Sequence, residues 1–446
     1  MTSERRVITR HAATVLVGQM AVMAFSVTDT IVAGHYAEGA LAALSVGSAI
    51  FVSVYVSLMG SLQALLPVWA ELHGARQTLE VGRSVRQALY LCGATIVLGM
   101  AVLLFPAPLL RWTDVPQGMS ADVEAYLRVL AFALPPTLLF RMFSTLSQSL
   151  GKPQVVTWLQ VASFGLKLPL SIWFTFGGAG LPALGLVGCG WATLLVNYAM
   201  LIAALWLLRH ESSFREYHFW QRIEAPDWTR LRQFIRLALP AGLTVLVEVT
   251  SFTLMALFIA RLGTTASAAH QIASNLVAFC YMTPLSFSIA TSARVSYWLG
   301  AGDPRLARRA ARRGFELTLL CALLFAAGMG LLRSRLPGVY SDNPSVIALG
   351  AMLLPVTAIY HFSDAVQTLC IFLLRCYRVT VAPLILYCTL LWGMGLGGGY
   401  LLAYRGLGPW SAMHTPLAFW IMGALALGTT ALLLLALLVF AVKRQR

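Results

Sequence analysis

The stretch LTVLVEVTSFTLMALFIA (residues 243–260) decides the fold class, because an apolar run of this length can cross a membrane as one helix. A hydrocarbon core about 30 Å thick needs ~20 apolar residues in a helix. Hydrophobic residues make up 59% of the 446-residue chain and charged residues only 11%, whereas soluble domains average about 25% charged residues. The mean hydropathy is +0.76. We therefore expect an all-α integral membrane protein with no sizeable soluble domain.

Three carboxyl groups lie inside such apolar stretches. Glu248 lies in the stretch just quoted, Asp29 lies in AVMAFSVTDTIVAG (21–34), and Asp364 lies in VTAIYHFSDAVQTLCIFLL (356–374). The remaining acidic residues, of 17 in all, fall in the termini, in loops or at the ends of apolar segments. A charge at mid-bilayer costs from ~3 to over ~10 kcal/mol, so such residues face the protein interior or water and often mark an ion or substrate pathway. The alternative is a neutral or hydrogen-bonded carboxyl that only holds helices together.

Long apolar segments recur along the chain and predict twelve spanning helices. The longest polar stretch, residues 209–233, follows the sixth of them and divides the chain nearly in half. We therefore expect two pseudo-symmetric six-helix lobes, residues 1–208 and 231–446, joined by a linker at 209–230. The predicted helices cover residues 8–34, 42–69, 86–109, 123–149, 154–177, 184–208, 231–261, 267–298, 311–332, 345–374, 379–403 and 414–441.

The basic residues sort to one side of the predicted topology. Of the 32 Lys and Arg residues, 23 fall at the two ends or in every second loop. This bias places both termini and the linker in the cytoplasm by the positive-inside rule. The basic loop RLARRAARR (305–313) is accordingly a topology signal and a contact for lipid phosphates, and we expect no nucleic-acid binding. Six basic residues fall in loops on the other side: Arg111, Arg128, Arg261, Arg333, Arg335 and Arg405.

The two halves resemble each other in sequence. AEGALAALSVGSAIF (37–51) aligns with GTTASAAHQIASNLV (263–277) at an offset of 226 residues, and LHGA (72–75) falls on LGAG (299–302) at an offset of 227. Each half holds six predicted helices, so both halves begin on the same side of the membrane. This gives parallel repeats related by an axis along the membrane normal, an arrangement found in transporters that bind substrate between their lobes.

Four motifs resemble those of the multidrug and toxic compound extrusion (MATE) transporters. They are TDTIVAGHY (28–36), LPAGLTVLVEVTSF (239–252), AAHQIASN (268–275) and YHFSDAVQTLCIFLLRCYR (360–378), and the similarity runs from about residue 10 to 440. The chain resembles the NorM-type branch in having two intramembrane acids, Glu248 and Asp364, in its second half. The resemblance implies two six-helix lobes around a central cleft. It also implies alternating access and export of organic cations and other amphipathic drugs, driven by inward Na⁺ or H⁺.

The resemblance also carries functional positions onto this chain. Glu248 and Asp364 match the cation-coupling acids of the C-terminal lobe, and Asp29 matches the essential first-helix acid of the N-terminal lobe. Tyr360 and Tyr281 match aromatic positions near the C-terminal cation site. Two carboxylates that share a dry site cannot both stay ionised without a cation. We therefore expect a proton site there, or a hard-oxygen site for Na⁺ formed by Glu248 and Asp364.

The fifth helix departs from the family pattern, which has two Asn residues around a Pro. The segment GLKLPLSIW has Lys167 and Ser171 in those places, beside Pro169. A buried Lys is costly alone and is usually paired, and Asp29 belongs to the same lobe. Either the two residues form a fixed structural ion pair, or the pair breaks when Asp29 takes a proton or a cationic substrate. The sequence leaves both alternatives open.

Other titratable residues in the spans are weaker candidates. His361 neighbours Tyr360 and Asp364 and could titrate near neutral pH, whereas His270 is more typical of a packing histidine. Arg141 is an interior candidate, and Arg294 lies near a helix end from which it could reach water. The seven cysteines form no ligand cluster, so we expect neither a disulfide nor a bound metal cofactor.

Two further function classes compete with drug export. A flippase or exporter of lipid-linked saccharides has related six-helix lobes, but it typically has extra helices or a basic central cavity. A membrane enzyme is disfavoured because the chain has no HExxH, GxSxG or P-loop motif and no intramembrane Ser/His/Asp set. With no nucleotide site, the energy must come from an ion gradient. We expect a monomer in the bacterial inner membrane whose partners are amphipathic drugs and lipids.

Overall fold

A computed structural model describes residues 4–108, 117–178 and 180–444 of the chain. Within these residues the protein is almost entirely helical, and its pairs Gly178–Leu181 and Leu407–Trp410 are isolated β-bridges. Arg111 and Arg446, which entered the charge comparison, lie outside the described residues, as does residue 109 at the end of the predicted third helix. The absence of any longer β-structure in the described ranges agrees with the expected all-α class.

Twelve helices of the described chain are long and apolar enough to cross a membrane, which confirms the predicted number. The second bends at residues 64–65, where Glu38–Gln63 gives way to Leu66–Gly74. We number them α1 Glu4–Tyr36, α2 Gly39–Gly74, α3 Thr78–Leu104, α4 Met119–Ser149, α5 Pro153–Phe176, α6 Leu186–His210, α7 Trp228–Ala260, α8 Thr264–Gly300, α9 Pro304–Leu331, α10 Pro344–Cys376, α11 Val381–Tyr404 and α12 Leu417–Arg444.

Local sequence signals explain where several helices begin. The Asp303 side chain accepts hydrogen bonds from the backbone N–H groups of Arg305 and Leu306 at the start of α9. Asn343 accepts one from Ser345 at the start of α10. These side chains satisfy donors that the first helical turn leaves unpaired. Proline follows each cap at the first helical position, where its missing N–H costs nothing.

The helices group into two compact units. The N-terminal unit comprises residues 14–242, and the C-terminal unit comprises residues 1–13 together with 243–446. These boundaries fall within α1 and α7, whereas the sequence analysis placed them on either side of a linker at 209–230. The predicted division into two lobes that move relative to each other, residues 1–208 and 231–446, stays a prediction.

The polar segment at 209–230 packs within the N-terminal unit. Phe214 and Tyr217 are buried, and the Tyr217 carbonyl oxygen lies so close to Gly82 that a Cβ atom there would be 1.9 Å away. Arg86, buried in α3, donates from Nε to a Glu224 carboxylate oxygen at 2.9 Å. The segment is therefore held to the helix ends by side-chain packing and an ion pair.

In the C-terminal unit, α10 is the central helix, because it packs against α8, α9 and α12. The first turn of α1 is attached to this unit. Both nitrogens Nε and Nη2 of Arg294 donate to the Glu4 carboxylate at 2.8 Å, and the guanidinium lies 4.6 Å from the centre of the Trp298 ring. Arg294, predicted to lie near a helix end from which it could reach water, thus forms a bidentate ion pair with Glu4 near the end of α8.

Candidate functional site

Asp29 and Lys167 form an ion pair inside the N-terminal unit. The Lys167 Nζ atom lies 2.7 Å from Asp29 Oδ1, and Lys167 has no exposed surface. Ser171, one turn further along α5, donates to the same Asp29 oxygen at 3.1 Å. The three predicted residues therefore meet, and of the sequence alternatives the paired arrangement is the one present in this structure.

The Lys167 ammonium has a complete set of oxygen partners. Besides Asp29, it donates to the Thr193 hydroxyl at 2.8 Å and to the Cys189 carbonyl at 3.2 Å. An ammonium has three N–H donors, so these contacts can satisfy all of them. Sequence reasoning missed Thr193 and Cys189. The only signal was their spacing of four residues in α6, which puts the Cys189 carbonyl and the Thr193 side chain on one helical face.

Glu248 of α7 and Asp364 of α10 come together in the C-terminal unit. The two carboxyl groups lie within electrostatic range of each other, and Arg375 lies within range of Glu248. Asp364 is buried, and Glu248 is half-buried. The predicted pair is therefore close in space. Arg375, which lies further along α10, is a basic neighbour of Glu248 that the sequence analysis did not predict.

Polar neighbours on α10 hold the Asp364 carboxylate. Gln367 donates from Nε2 to Asp364 Oδ1 at 2.9 Å, and the Thr368 side chain lies close to the same carboxyl group. The buried Gln367 Oε1 acceptor has no hydrogen-bond partner within the described chain. An alkali cation prefers carboxylate, amide and hydroxyl oxygens. The oxygen set of Glu248, Asp364, Gln367 and Thr368 thus fits Na⁺, and the two carboxyl groups equally fit a proton.

Three tyrosines surround the acid pair. Tyr281, Tyr360 and Tyr387 each lie within electrostatic range of both carboxyl groups, and Tyr281 also lies close to Thr368. Tyr281 and Tyr360 were predicted neighbours, whereas Tyr387 was missed because it lies on α11, far from the acids in sequence. These phenols give the site polar groups that can respond to a bound cation.

A small apolar pocket lies next to the acid pair in the same unit. Its volume is about 30 Å³, and its lining includes Ser251, Phe252, Tyr360 and Phe419. Ser251 and Phe252 follow Glu248 by one helical turn, and Tyr360 precedes Asp364 by one turn. Residues three or four apart share a helical face. The pocket and the carboxyl groups are therefore neighbours along α7 and α10.

One wall of this pocket comes from an irregular part of α11. Residues Cys388–Gly397 form a π-helix, a rare conformation that is frequently found at functional sites. Val247 is the residue before Glu248, and its carbonyl oxygen accepts a hydrogen bond of 3.2 Å from Trp392 Nε1. The sequence analysis predicted a regular helix here. The available signal was the glycine spacing in WGMGLG, because residues without side chains tolerate a wider helix.

The two candidate histidines pack against aromatic rings. His361 is fully buried and packs edge-on against Phe325, with ring centres 6.1 Å apart. Neither of its ring nitrogens has a hydrogen-bond partner among the described residues, so His361 makes no hydrogen bond to Asp364 in this structure. His270 packs against Trp420 at 5.7 Å between ring centres, as expected for a packing histidine.

Comparisons with known proteins agree with this architecture. Sequence similarity to the MatE family covers residues 15–173 and 240–401. The chain is 35% identical to the probable multidrug resistance protein NorM of Aromatoleum aromaticum over 398 residues, covering 89% of this chain and 86% of that protein. It is 35% identical to the protein of the same name from Chromobacterium violaceum over 434 residues, covering 97% and 93% of the two chains.

Solved structures of similar fold include a eukaryotic MATE transporter, AtDTX14, with a TM-score of 0.86, 17% identity, and coverage of 99% of this chain and 98% of that one. The Vibrio cholerae MATE transporter VcmN in its bent form matches with a TM-score of 0.85, 17% identity and the same coverage of both chains. At 17% identity the likeness to these solved structures shows a shared fold. The match to the family model and the 35% identity to the NorM relatives show similarity of the sequence itself. The chain therefore belongs to the MatE family of membrane transporters, in its NorM-type branch.

Proposed function

We propose that this protein is an antiporter that exports cationic and other amphipathic drugs in exchange for inward H⁺ or Na⁺. The observation that carries the proposal is the acid pair Glu248 and Asp364 beside an aromatic pocket in the C-terminal unit. The pocket lining is apolar and aromatic, and the carboxyl groups suit a positive charge. The names of the bacterial relatives, multidrug resistance proteins, support drugs as the substrate class.

Exchange follows if the drug and the driving cation compete for the same carboxyl groups. A ligand shifts a conformational equilibrium only by its differential affinity for the two states. A proton or Na⁺ at the acid pair therefore favours one state of the transporter, and a cationic drug favours the other. The two halves alternate access in this scheme, with the protein in the bacterial inner membrane and both termini in the cytoplasm, as the charge bias predicts.

The N-terminal unit contributes differently in this proposal. The Lys167 ammonium already neutralises Asp29 and uses the oxygens of Thr193 and Cys189. An exchangeable Na⁺ would have to displace a covalently attached cation. We therefore place the driving cation at Glu248 and Asp364, where the free Gln367 Oε1 acceptor offers a further ligand.

Efflux of ethidium from proteoliposomes under imposed Na⁺ or pH gradients tests the proposal. Glu248→Gln or Asp364→Asn keeps the size of the side chain but removes its charge, so either should abolish gradient-driven efflux while the protein still folds. Glu316→Gln is the matched control, because this exposed acid pairs with Arg312 and Arg313 at the surface and should leave efflux unchanged. Efflux that continues equally well in wild type with both gradients collapsed would exclude ion coupling.

A further inference from the structure

The segment that joins α6 to α7 has side chains of two kinds. Some are buried against the N-terminal unit, as Phe214 and Tyr217 are. Three other large apolar side chains of the segment and of the first residue of α7 are open to the surroundings. Trp220 is 55% exposed, Ile223 52% and Trp228 76%. We call these three residues the outer patch. Exposed apolar groups that cluster in this way mark contacts with another molecule or with a membrane.

Hydrogen bonds to the backbone hold this segment at a fixed place along α3. The Glu224 carbonyl oxygen accepts a hydrogen bond from the Tyr90 hydroxyl at 2.9 Å. The Ala225 carbonyl oxygen accepts one from Gln87 Nε2 at 3.0 Å, and the Asp227 backbone N–H donates to Gln87 Oε1 at 2.9 Å. The part of the segment that carries the outer patch therefore lies at the level of Gln87 and Tyr90.

That level is where α3 passes from polar to apolar sequence. The helix begins with TLEVGRSVRQ (78–87), and the following stretch ALYLCGATIVLGMAVLLF (88–105) has no charged side chain. At 1.5 Å per residue this apolar stretch is about 27 Å long, and a hydrocarbon core is about 30 Å thick. The stretch has no length to spare, so its first residues lie at the edge of the core. Tyrosine is enriched at this edge, which agrees with the position of Tyr90.

Basic side chains border the outer patch. Arg222 is exposed and lies between Trp220 and Ile223 in the chain, and the Arg209 guanidinium lies 5.9 Å from the centre of the Trp220 ring. Glu224, the acid next to Ile223, is already paired within the protein. Aromatic, aliphatic and basic side chains together are typical of segments that lie in a membrane surface. The apolar groups enter the edge of the core, and the basic groups attract anionic lipids.

We propose that the outer patch inserts into the headgroup layer of the bilayer, so that the segment between α6 and α7 is an interfacial anchor of the N-terminal unit. Its ligand is an anionic phospholipid. Trp220, Ile223 and Trp228 contact the upper part of the acyl chains, and Arg222 contacts the phosphate. This role goes beyond drug export and does not depend on it. The hydrogen bonds to α3 serve the anchor, because they keep the patch level with the edge of the core.

Spin labels at single introduced cysteines measure the depth of the patch. Trp220→Cys and Ile223→Cys are labelled in vesicles of phosphatidylcholine and phosphatidylglycerol, with Glu216→Cys, an exposed position of the same segment, as the matched control. Relaxation by O₂, which concentrates in lipid, is compared with relaxation by a water-soluble nickel chelate. Labels at 220 and 223 should lie about 5–10 Å below the headgroup surface, whereas the label at 216 should report water. Labelled wild type gives the background, since five of its seven cysteines are buried.

Lipid charge tests the contact assigned to Arg222. In vesicles that contain phosphatidylglycerol, Arg222→Gln should lower the ratio of inserted to exposed label at position 223 by about fivefold, the effect of one basic group near an anionic surface. In vesicles of phosphatidylcholine alone the same substitution should change this ratio little. Arg335→Gln removes an exposed arginine of the C-terminal unit. It is the control and should leave the ratio unchanged in both kinds of vesicle.

Several results would overturn the anchor. A label at 223 that meets the nickel chelate as readily as the label at 216 would show a patch that is merely in water. Labels at 220 and 223 that are shielded from both reagents would show that protein covers the patch, either a partner or a second copy of this chain. Soluble glycerol phosphate that deepens the label in phosphatidylcholine vesicles as much as phosphatidylglycerol does would show that Arg222 responds to a free anion and not to a lipid.

Discussion

Breaking the Asp29–Lys167 pair should be among the most destabilising single changes in the N-terminal unit. Asp29→Asn leaves the fully buried Lys167 ammonium with only the neutral oxygens of Thr193 and Cys189. Removing one partner of a buried pair costs about 3–5 kcal/mol. Lys167→Asn leaves the Asp29 carboxylate with the Ser171 hydroxyl, which also destabilises the unit.

The double variant should recover part of this loss, because neither charge is then left alone. We expect a coupling free energy of ~2–3 kcal/mol, near the upper end for residues in contact. Unfolding of the wild type, both single variants and the double variant in detergent gives the four corners of the cycle. The exposed pair Glu124 and Arg128, 3.7 Å apart on α4, is the control, and its cycle should give only about 0–0.5 kcal/mol.

An additive cycle at Asp29 and Lys167 would refute the reasoning, since it would show that the two charges do not stabilise each other. The same variants have a functional consequence. Lys167→Asn frees the Asp29 carboxylate to exchange a proton, so efflux should depend more steeply on pH than in wild type. A pH profile that does not change would mean that Asp29 is protected by something other than Lys167.

Three further predictions concern the topology, the packed linker and the pocket. Reporter fusions after the C-terminal residue and within residues 209–230 should show cytoplasmic activity, and periplasmic activity at either place would reverse the orientation. The hydrogen bond from Arg86 lowers the pKa of Glu224 from 4.5 to about 2; the ion pair is therefore intact above pH 4.5 and lost as the pH falls toward 2. Pepsin should cut the 209–230 segment increasingly over this range, whereas Glu224→Gln should be cut throughout it, and equal cutting of both proteins would contradict this. A Cβ atom at Gly423 would lie 3.3 Å from the Tyr360 ring, so Gly423→Val should narrow the pocket. Efflux of ethidium and of a small alkylammonium ion, measured side by side, should show a larger loss for ethidium.

Much of the fold could be predicted from the sequence, because membrane helices are specified locally. A backbone in lipid must satisfy its own hydrogen bonds, so a long apolar run is a helix wherever it occurs. The predicted helix 345–374 and the observed α10, Pro344–Cys376, differ by only a few residues for this reason. The same logic picked out Asp29, Glu248 and Asp364, since a carboxyl group in an apolar run is conspicuous without any structure.

The packing of the segment at 209–230 could not be predicted in the same way. Its polar composition is typical of an exposed linker, yet Tyr217 fits against Gly82 and Glu224 pairs with Arg86. These partners lie more than a hundred residues away. Composition reports the average environment of a segment, whereas such contacts depend on which helix ends become neighbours.

The sequence by itself determined the class of protein, the number of helices, the positions of the three acids within the spans and the presence of Lys167 beside Pro169 in the fifth helix. Only the tertiary structure decided that Lys167 meets Asp29, that Tyr387 lies near the acid pair, that part of α11 is a π-helix and that Arg141 has no acidic partner among the described residues. The physical reason is one of range. Helix formation and membrane insertion depend on neighbouring residues along the chain, whereas the neutralisation of a buried charge depends on atoms that distant helices bring within about 3 Å of it.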